Sequence, residues 1–215
     1  MSMSEHQQPD VPSRDTLAIL LFEGFDLLQV SAAISLFHAL PEKFDILLVS
    51  DNSEVMTSQQ GIPLNVDLSY QALLTYDILY VPGGNGIEKA INDERMVDWL
   101  TKQNRHDTLL CSSCIGSALL AQAGLLKGHV ATTNKQHYHW VTQFGKQVKW
   151  APVARWTQDQ RVFTSSGQTA CFDMFIAVIK AYINEETARK LAITMEYLWL
   201  NDSEDDPFAP LHIVE

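Results

Sequence analysis

The segment LLCSSCIGSALLAQAGLL, residues 109–126, holds the residues of this chain that are best suited to chemistry. Cys111 and Cys114 stand three positions apart among serines and glycines. A cysteine in such a setting can serve as a nucleophile, as half of a redox pair, or as a small apolar side chain of the core. The residues around Cys114 bear on which of these three interpretations applies.

The sequence around Cys114 has the pattern of a nucleophile elbow. An apolar run predicts a buried strand over 107–113, and a helix is predicted over 115–126. A tight strand–turn–helix connection holds its central residue strained at the tip of a sheet. Because strand and helix nearly touch there, small residues such as Gly116 are needed. We expect the helix N-terminus to favour the thiolate, and backbone N–H groups there can bind an oxyanion.

Distance argues against a redox pair. Cys111 lies inside the predicted strand, so extended chain would place it roughly 10 Å from Cys114. A disulfide needs Cα atoms within about 7 Å of each other. Cys111 is therefore predicted to be a core residue, and so is Cys171, which lies in an apolar helical stretch.

Two further turns are predicted to face Cys114. VPGGNG, residues 81–86, brings backbone N–H groups close to a ligand, and an oxyanion hole is predicted from the amides of Gly84 and Ile115. FEGFDLLQV, residues 22–30, offers Gln29, a polar residue in an apolar helical run that needs a partner. The acidic residues of this turn, Glu23 and Asp26, are interpreted as solvated turn and capping residues.

Apolar strand-like runs alternate with amphipathic helical stretches along most of the chain. This alternation predicts an α/β three-layer sandwich, with a mainly parallel, doubly wound sheet that has helices on both faces. Ligands bind such sheets beyond the carboxyl ends of the strands, so the turns after Phe22, Val81 and Ser113 should converge. The predicted strands are 16–22, 44–50, 76–84, 107–113, 129–133 and 161–167, with a hairpin over 54–67; the predicted helices are 27–40, 94–104, 115–126, 135–144, 169–183 and 185–199.

Length and composition fit one soluble domain. We expect a loose N-terminal tail over 1–15, a single domain over 16–200, and a C-terminal tail over 201–215 that packs on the domain or on a dimer partner. The formal net charge of −11 argues against binding to nucleic acid or anionic membranes. No stretch has the length of a transmembrane helix. The polar N-terminus is not a signal peptide, and three cysteines without framework spacing predict a reducing compartment, the cytoplasm.

Six motifs of this chain, given at the end of this paragraph, occur in the same order as in the ThiJ/PfpI family. The chain therefore resembles this family, which belongs to the superfamily of the Parkinson's-associated protein deglycase. The resemblance covers Thr16 to Trp199 and implies a flavodoxin-like, class I glutamine-amidotransferase-like fold. Within the family it resembles most the isocyanide hydratase branch and the amidase-like domains of some AraC-type regulators. The motifs are F-E-G-F-D, V-P-G-G-N-G, S-S-C-I-G-S-A-L-L-A-Q-A-G-L-L-K-G, A-T-T, T-S-S-G-Q-T-A and a late M-E-Y…D-P-F.

The resemblance implies a homodimer without a bound cofactor or metal, acting on a small molecule through Cys114. Substrate contacts are expected from Gly83, Ser113 and Asn134. Two departures affect the chemistry. Family members commonly carry Asp or Glu at the position of Gln29, and a glutamine cannot exchange protons as a carboxylate does. They place His or Thr directly after the cysteine, where this chain has Ile115.

A third departure is T-T-N-K where hydratase-like members read T-T-H-W. The nearby His137 and His139 stand at i and i+2, point apart on a helix, and are interpreted as ordinary surface or core histidines. The resulting prediction is a cysteine-dependent hydratase or hydrolase that forms a thioimidate on Cys114. The alternative is a non-enzymatic stress, redox or ligand sensor with an oxidisable Cys114. Protease activity and DNA binding are disfavoured, the latter because the chain is acidic and ends soon after Trp199.

Overall fold

Strands and helices alternate along most of residues 13–51, 53–73 and 75–212, the part of the chain that the computed structural model describes. The strands are β1 (Asp15–Leu20), β2 (Phe44–Ser50), β3 (Val55–Thr57), β4 (Pro63–Asn65), β5 (Leu68–Ser69), β6 (Ile78–Val81), β7 (Leu109–Ser113), β8 (Val130–Ala131), β9 (Lys149–Trp150), β10 (Trp156–Asp159) and β11 (Val162–Ser165). The helices are α1 (Leu27–His38), α2 (Ile87–Ala90), α3 (Glu94–Thr101), α4 (Gly116–Gln122), α5 (Tyr138–Val141), α6 (Ala170–Tyr182), α7 (Glu185–Thr194) and α8 (Ala209–His212), with a 3-10 turn at Thr142–Phe144.

A seven-stranded sheet forms the centre of the molecule, in the order β10-β11-β7-β6-β1-β2-β5. Neighbouring strands in it are parallel, except for the antiparallel pair β10–β11 at one edge. The middle strands β6, β7 and β11 consist almost wholly of buried residues, as expected for strands that are covered on both faces. The predicted mainly parallel sheet is confirmed.

Helices cover the sheet in two groups. In the first, α6 packs against α1 and α7, and its Phe175 makes edge contacts with Phe37 of α1 and Tyr80 of β6 at ring-centroid distances of 5.8 and 4.8 Å. In the second, α2 and α3 contact α4, which lies on β6 and β7. This is the three-layer α/β arrangement that the sequence predicts.

Three of the helices begin at a side chain that accepts a hydrogen bond from their first turn. Asp26 caps α1, Asp93 caps α3 and Asn184 caps α7. The cap at Asp26 fixes the start of α1, so Gln29 stands in its first turn, close to the carboxyl edge of the sheet. No helix in the described ranges is long and apolar enough to cross a membrane.

Several predicted elements are shorter than expected, whereas the predicted hairpin over 54–67 is confirmed by the antiparallel pair β3–β4. The strand predicted over 129–133 is reduced to β8, which pairs with β9 in a separate small sheet. The helix predicted over 135–144 splits into α5 and the 3-10 turn. The helix predicted over 185–199 ends at Thr194, because Glu196 adopts a left-handed φ of 49° that α-helical backbone cannot contain.

Buried charged side chains hold the chain after α7 against the domain. Asp173 of α6 accepts hydrogen bonds from Arg155 at 2.8 Å and from the Tyr197 hydroxyl at 3.1 Å. The backbone N–H of Arg155 donates to the Ser203 carbonyl at 2.8 Å. Tyr197 therefore turns back to α6 instead of continuing α7, which is the packing reason for the early end of that helix.

The observed elements extend slightly beyond the predicted domain limits of 16 and 200. β1 begins at Asp15, and the last helix, α8, ends at His212. Residues 1–12 of the predicted N-terminal tail and residues 213–215 of the predicted C-terminal tail lie outside the described residues.

Candidate active site

The turns after β1, β6 and β7 meet at the carboxyl edge of the sheet, as predicted from the sequence. The three strands are adjacent and parallel. The N–H of Asp26, in the first turn, donates to the Gly83 carbonyl of the second turn at 2.8 Å. Cys114 of the third turn is so close that a Cβ placed on Gly83 would stand 2.9 Å from the Cβ of Cys114. The predicted convergence is confirmed.

Cys114 occupies a strained turn between β7 and α4. Its φ of 53° lies in the left-handed region, which is unfavourable for a residue that has a side chain. The Cys114 N–H donates to the Ser165 carbonyl at 3.0 Å. The Cys114 carbonyl accepts from the Thr133 hydroxyl at 2.9 Å and from the Ser117 hydroxyl at 3.2 Å, and these bonds hold the turn. A Cβ at Gly116 would lie 2.6 Å from the Pro82 carbonyl oxygen, so a glycine is required. The geometry is that of a nucleophile elbow.

The Cys114 side chain opens into a cavity of about 450 Å³, which has room for a small organic molecule. Apolar surface comes from Ile115 and Trp140, and the titratable lining side chains in the described part of the chain are Cys114, Glu88 and His137. Most of the remaining lining residues carry primary carboxamides: Gln29, Gln59, Asn85, Asn134, Gln136 and Gln168. The cavity is thus polar but largely uncharged.

Burial controls the protonation of Cys114, which is only 7% exposed. It raises the pKa of the thiol to about 11, and the charge of Asp26 adds to the rise. Hydrogen bonding from the Ile115 N–H and from Asn134, whose Nδ2 lies 3.3 Å from the sulfur, lowers the pKa but does not compensate. The N–H at the start of α4 therefore favours the thiolate, as expected, but burial outweighs its effect.

A chain of hydrogen bonds fixes the orientation of Gln29. Its Oε1 accepts from the N–H of Gly83 at 2.8 Å and from the Ser113 hydroxyl. Since Ser113 gives its single proton to Gln29, Tyr80 must donate to the Ser113 oxygen, 2.5 Å away. Gln29 Nε2 forms no hydrogen bond of regular geometry within the described residues, but its interaction with the Cys114 sulfur lowers the pKa of that thiol. The amide group of Gln29 therefore faces Cys114.

The three residues predicted to contact substrate occupy two kinds of position. Gly83 and Ser113 lie behind Gln29 and are not among the residues that line the cavity. Asn134 lines the cavity next to the sulfur, and its Oδ1 accepts from the N–H groups of Gln136 and His137. Gly83 and Ser113 thus support Gln29, whereas Asn134 stands where a substrate has access.

Gly84 and Ile115, the residues of the predicted oxyanion hole, both line the cavity beside Cys114. Gly84 has a φ of 134°, and a Cβ at this position would lie 2.2 Å from the Gly24 carbonyl oxygen. Only a glycine fits such a close approach of two turns. The backbone of both residues is thereby brought to the same cavity as the sulfur.

Asp26 is a capping residue, as interpreted from the sequence, but it is not solvated. Its side chain is fully buried, whereas Glu23 is exposed. The Asp26 carboxylate accepts from Gln60 Nε2 at 3.1 Å, from Gln168 Nε2 at 3.0 Å and also from Gln59 Nε2. These donors, together with the helix cap, take the place of water around the charge. The interpretation of Asp26 as a solvated residue was wrong because its partners come from distant segments.

Sequence reasoning missed several residues of the cavity. Gln59 follows β3, Gln168 precedes α6 and Trp140 lies in α5, and no local pattern connects these segments to Cys114. His137 is an exposed histidine, as interpreted, but it also lines the cavity. The i, i+2 spacing of His137 and His139 does not predict that His137 lines the cavity. It predicts only that the two side chains point in different directions.

The other two cysteines belong to the core. Cys111 and Cys171 are unpaired and fully buried, and burial raises the pKa of both thiols. The prediction that Cys111 and Cys114 form no disulfide is confirmed. In the described ranges, no group of three or more His, Cys, Asp or Glu side chains could hold a metal ion.

Several known proteins are similar in sequence to this chain over most of its length. The isonitrile hydratase of Pseudomonas putida is 28% identical over 182 residues, which are 84% of this chain and 78% of the hydratase. The HTH-type transcriptional regulator GbdR of Pseudomonas aeruginosa strain PAO1 is 26% identical over 94% of this chain, but the chain spans only 57% of the regulator.

Structural similarity agrees with the sequence matches. A THiJ/PfpI family protein from Pseudomonas syringae has the same fold, with a TM-score of 0.79 and 23% identity over 91% of this chain and 84% of that one. The sequence profile of the DJ-1/PfpI family matches residues 15–181, which include β1, the Cys114 turn and nearly all of α6. The chain therefore belongs to the DJ-1/PfpI family.

Proposed function

We propose that this protein is a cysteine-dependent hydratase that adds water to a small electrophilic carbon, with an isocyanide as the reference substrate. One observation carries the proposal: Cys114 sits in a strained turn at the cavity, with Asn134 Nδ2 3.3 Å from its sulfur. The similarity to the P. putida isonitrile hydratase supports this choice of reaction. The reaction needs no cofactor.

In the first step the Cys114 sulfur attacks the terminal carbon of the isocyanide R–NC. The S–C bond forms and the thiol proton is transferred to the same carbon, which gives the thioimidate R–N=CH–S–Cys114. A thiol whose pKa burial raises suits this step, because the carbon must receive both the sulfur and a proton. The Asn134 amide and the Ile115 N–H stabilise charge that develops on sulfur.

In the second step water attacks the thioimidate carbon and the nitrogen takes a proton. The tetrahedral intermediate then loses the thiol, which regains its proton, and the N-substituted formamide leaves. The backbone amides of Gly84 and Ile115 are assigned to the oxygen of the intermediate. The exposed titratable side chains of the cavity, Glu88 and His137, are assigned to proton transfer through water, since Gln29 cannot exchange protons.

The proposal includes a homodimer in the cytoplasm that binds neither nucleic acid nor membranes. The net charge of −11 supports the last two points. Exposed apolar side chains near the end of the chain offer surface for a second copy; Leu198 is 90% exposed and Leu211 is 70% exposed.

Turnover of an alkyl isocyanide and of methylglyoxal by wild type and Gln29→Glu tests the proposal. We expect wild type to form the formamide and to leave methylglyoxal unchanged. Gln29→Glu should raise kcat several-fold because it supplies a proton-exchanging group beside the sulfur. Gln136→Glu is the matched control, since it adds the same charge at an exposed position of the cavity and should not raise kcat.

Two outcomes would speak against catalysis by the natural sequence. If neither wild type nor Gln29→Glu forms the formamide, the proposal is contradicted. An inert wild type with an active Gln29→Glu would instead indicate a repurposed member. The second candidate function, a ligand or redox sensor, would then be preferred, in keeping with the similarity to the regulator GbdR.

A further inference from the structure

Asp26 is a buried anion next to the reactive cavity. Its side chain is fully buried, and no lysine, arginine or histidine in the described ranges forms an ion pair with it. A buried carboxylate without a cation is costly unless N–H donors surround it. The N–H of Gln29 and the side-chain amides of Gln59, Gln60 and Gln168 provide those donors.

The N–H donors around Asp26 satisfy the hydrogen-bonding capacity of its carboxylate, but they do not neutralise its negative charge. Each of them is a neutral amide, so the site keeps a net negative charge in surroundings of low polarisability. The electrostatic effect of Asp26 reaches Cys114, Cys171 and Tyr80, whose pKa values it raises. The Cys114 cavity therefore lies within the field of a fixed anion.

The cavity itself does not compensate this field. No lysine or arginine of the described ranges lines it, and Glu88 at its wall adds further negative charge. Its polar surface consists mainly of carboxamides, which can donate and accept hydrogen bonds with an uncharged ligand. Two of these carboxamides, Gln59 and Gln168, are held in place by Asp26 itself.

We propose that Asp26 is a specificity-determining residue that makes the Cys114 site accept uncharged electrophiles and reject carboxylate-bearing electrophiles of the same size. This inference rests on one part of the proposed function, the assignment of Cys114 as the residue that attacks the substrate. It narrows the substrate class to neutral compounds, such as alkyl or aryl isocyanides without an acidic substituent.

Alkylation by iodoacetamide and iodoacetate provides a direct test, because the two reagents have nearly the same size and differ in charge. In both, the Cys114 sulfur displaces iodide, the S–C bond forms as the C–I bond breaks, and the thiol proton goes to solvent. Rates are read by peptide mass spectrometry and divided by those of free N-acetylcysteine. We expect the normalised preference of Cys114 for iodoacetamide to be about tenfold or more at low salt.

Asp26→Asn keeps the size and the capping oxygen but removes the charge, and it should reduce this preference to about twofold. Asp93→Asn, which changes the capping carboxylate of α3, is the matched control and should leave the preference unchanged.

If Asp26→Asn does not fold, wild type is alkylated with the cationic reagent 2-bromoethylamine instead. Its normalised rate at Cys114 is expected to exceed that of iodoacetamide. Equal normalised rates for all reagents on wild type, an unchanged preference in folded Asp26→Asn, or no alkylation of Cys114 would overturn the inference. If the expected preference appears without isocyanide turnover, the proposed function fails and this inference stands.

Discussion

At the sulfur of Cys114, burial and hydrogen bonding act in opposite directions. Burial raises the pKa of the thiol to about 11, and the Ile115 N–H and Asn134 lower it. Because the thiolate is the nucleophile in alkylation, the rate of reaction with iodoacetamide should rise steadily from neutral pH towards pH 11. The contribution of one hydrogen-bond donor to the pKa of Cys114 can therefore be measured by removing that donor.

Asn134→Ala removes the donor that lies 3.3 Å from the sulfur. The pKa of Cys114 should rise further, because a hydrogen bond that stabilised the thiolate is lost. We expect the iodoacetamide rate at pH 8 to fall about tenfold, as for loss of a hydrogen bond to a charged group. Gln136→Ala shortens a neighbouring cavity carboxamide and controls for wider access to the site. A rate for Asn134→Ala equal to that of Gln136→Ala would show that Asn134 does not stabilise the thiolate.

The turn that carries Cys114 could be predicted from sequence, but the shift in the pKa of its thiol could not. The strand, turn and helix around Cys114 are contiguous, so a local pattern identifies them. The pKa depends on Asn134 and on Asp26, and the latter is buried by glutamines that lie 33 to 142 positions away. No local pattern reports such partners.

The turn from β7 to α4 requires close contact between a helix and the neighbouring strand. Gly116→Ala would place a Cβ 2.6 Å from the Pro82 carbonyl oxygen, and backbone cannot move aside easily. We expect the free energy of unfolding to fall by about 1–3 kcal/mol, although alanine is the better helix former. Urea unfolding followed by circular dichroism measures the change.

Gly167→Ala is the matched control for the turn. Nothing lies within 4 Å of a Cβ at Gly167, so this substitution should change stability by no more than about 0.5 kcal/mol. If Gly116→Ala is as stable as Gly167→Ala, the close packing of the elbow is not a constraint on this fold.

Among the elements, those with a buried apolar run were predicted best. β6 and β7 follow from continuous runs, since both faces of the strands are covered. The end of α7 could not be predicted, because Tyr197 leaves the helix to bind Asp173, a contact across 24 positions. β10 was missed because it is an edge strand formed by the antiparallel pair with β11.

At the scale of the whole molecule, the parallel sheet order follows from alternating strands and helices, and it brings three turns to one edge. The family match covers residues 15–181, which contain all seven strands of this sheet. The cavity walls were less predictable, because residues such as Gln59 and Trp140 come from the hairpin and from α5, outside the alternating core. The fold and the Cys114 turn are therefore encoded locally, whereas the surroundings of Cys114 are a property of the assembled chain.

The central claim is that Cys114 bonds covalently to the carbon of the substrate. Rapid mixing with an alkyl isocyanide, acid quenching and peptide mass spectrometry test it most directly. We predict that the peptide containing Cys114 gains the mass of one isocyanide while the formamide accumulates, and that Cys114→Ala shows neither adduct nor product. Formamide production by Cys114→Ala at the wild-type rate would contradict the account.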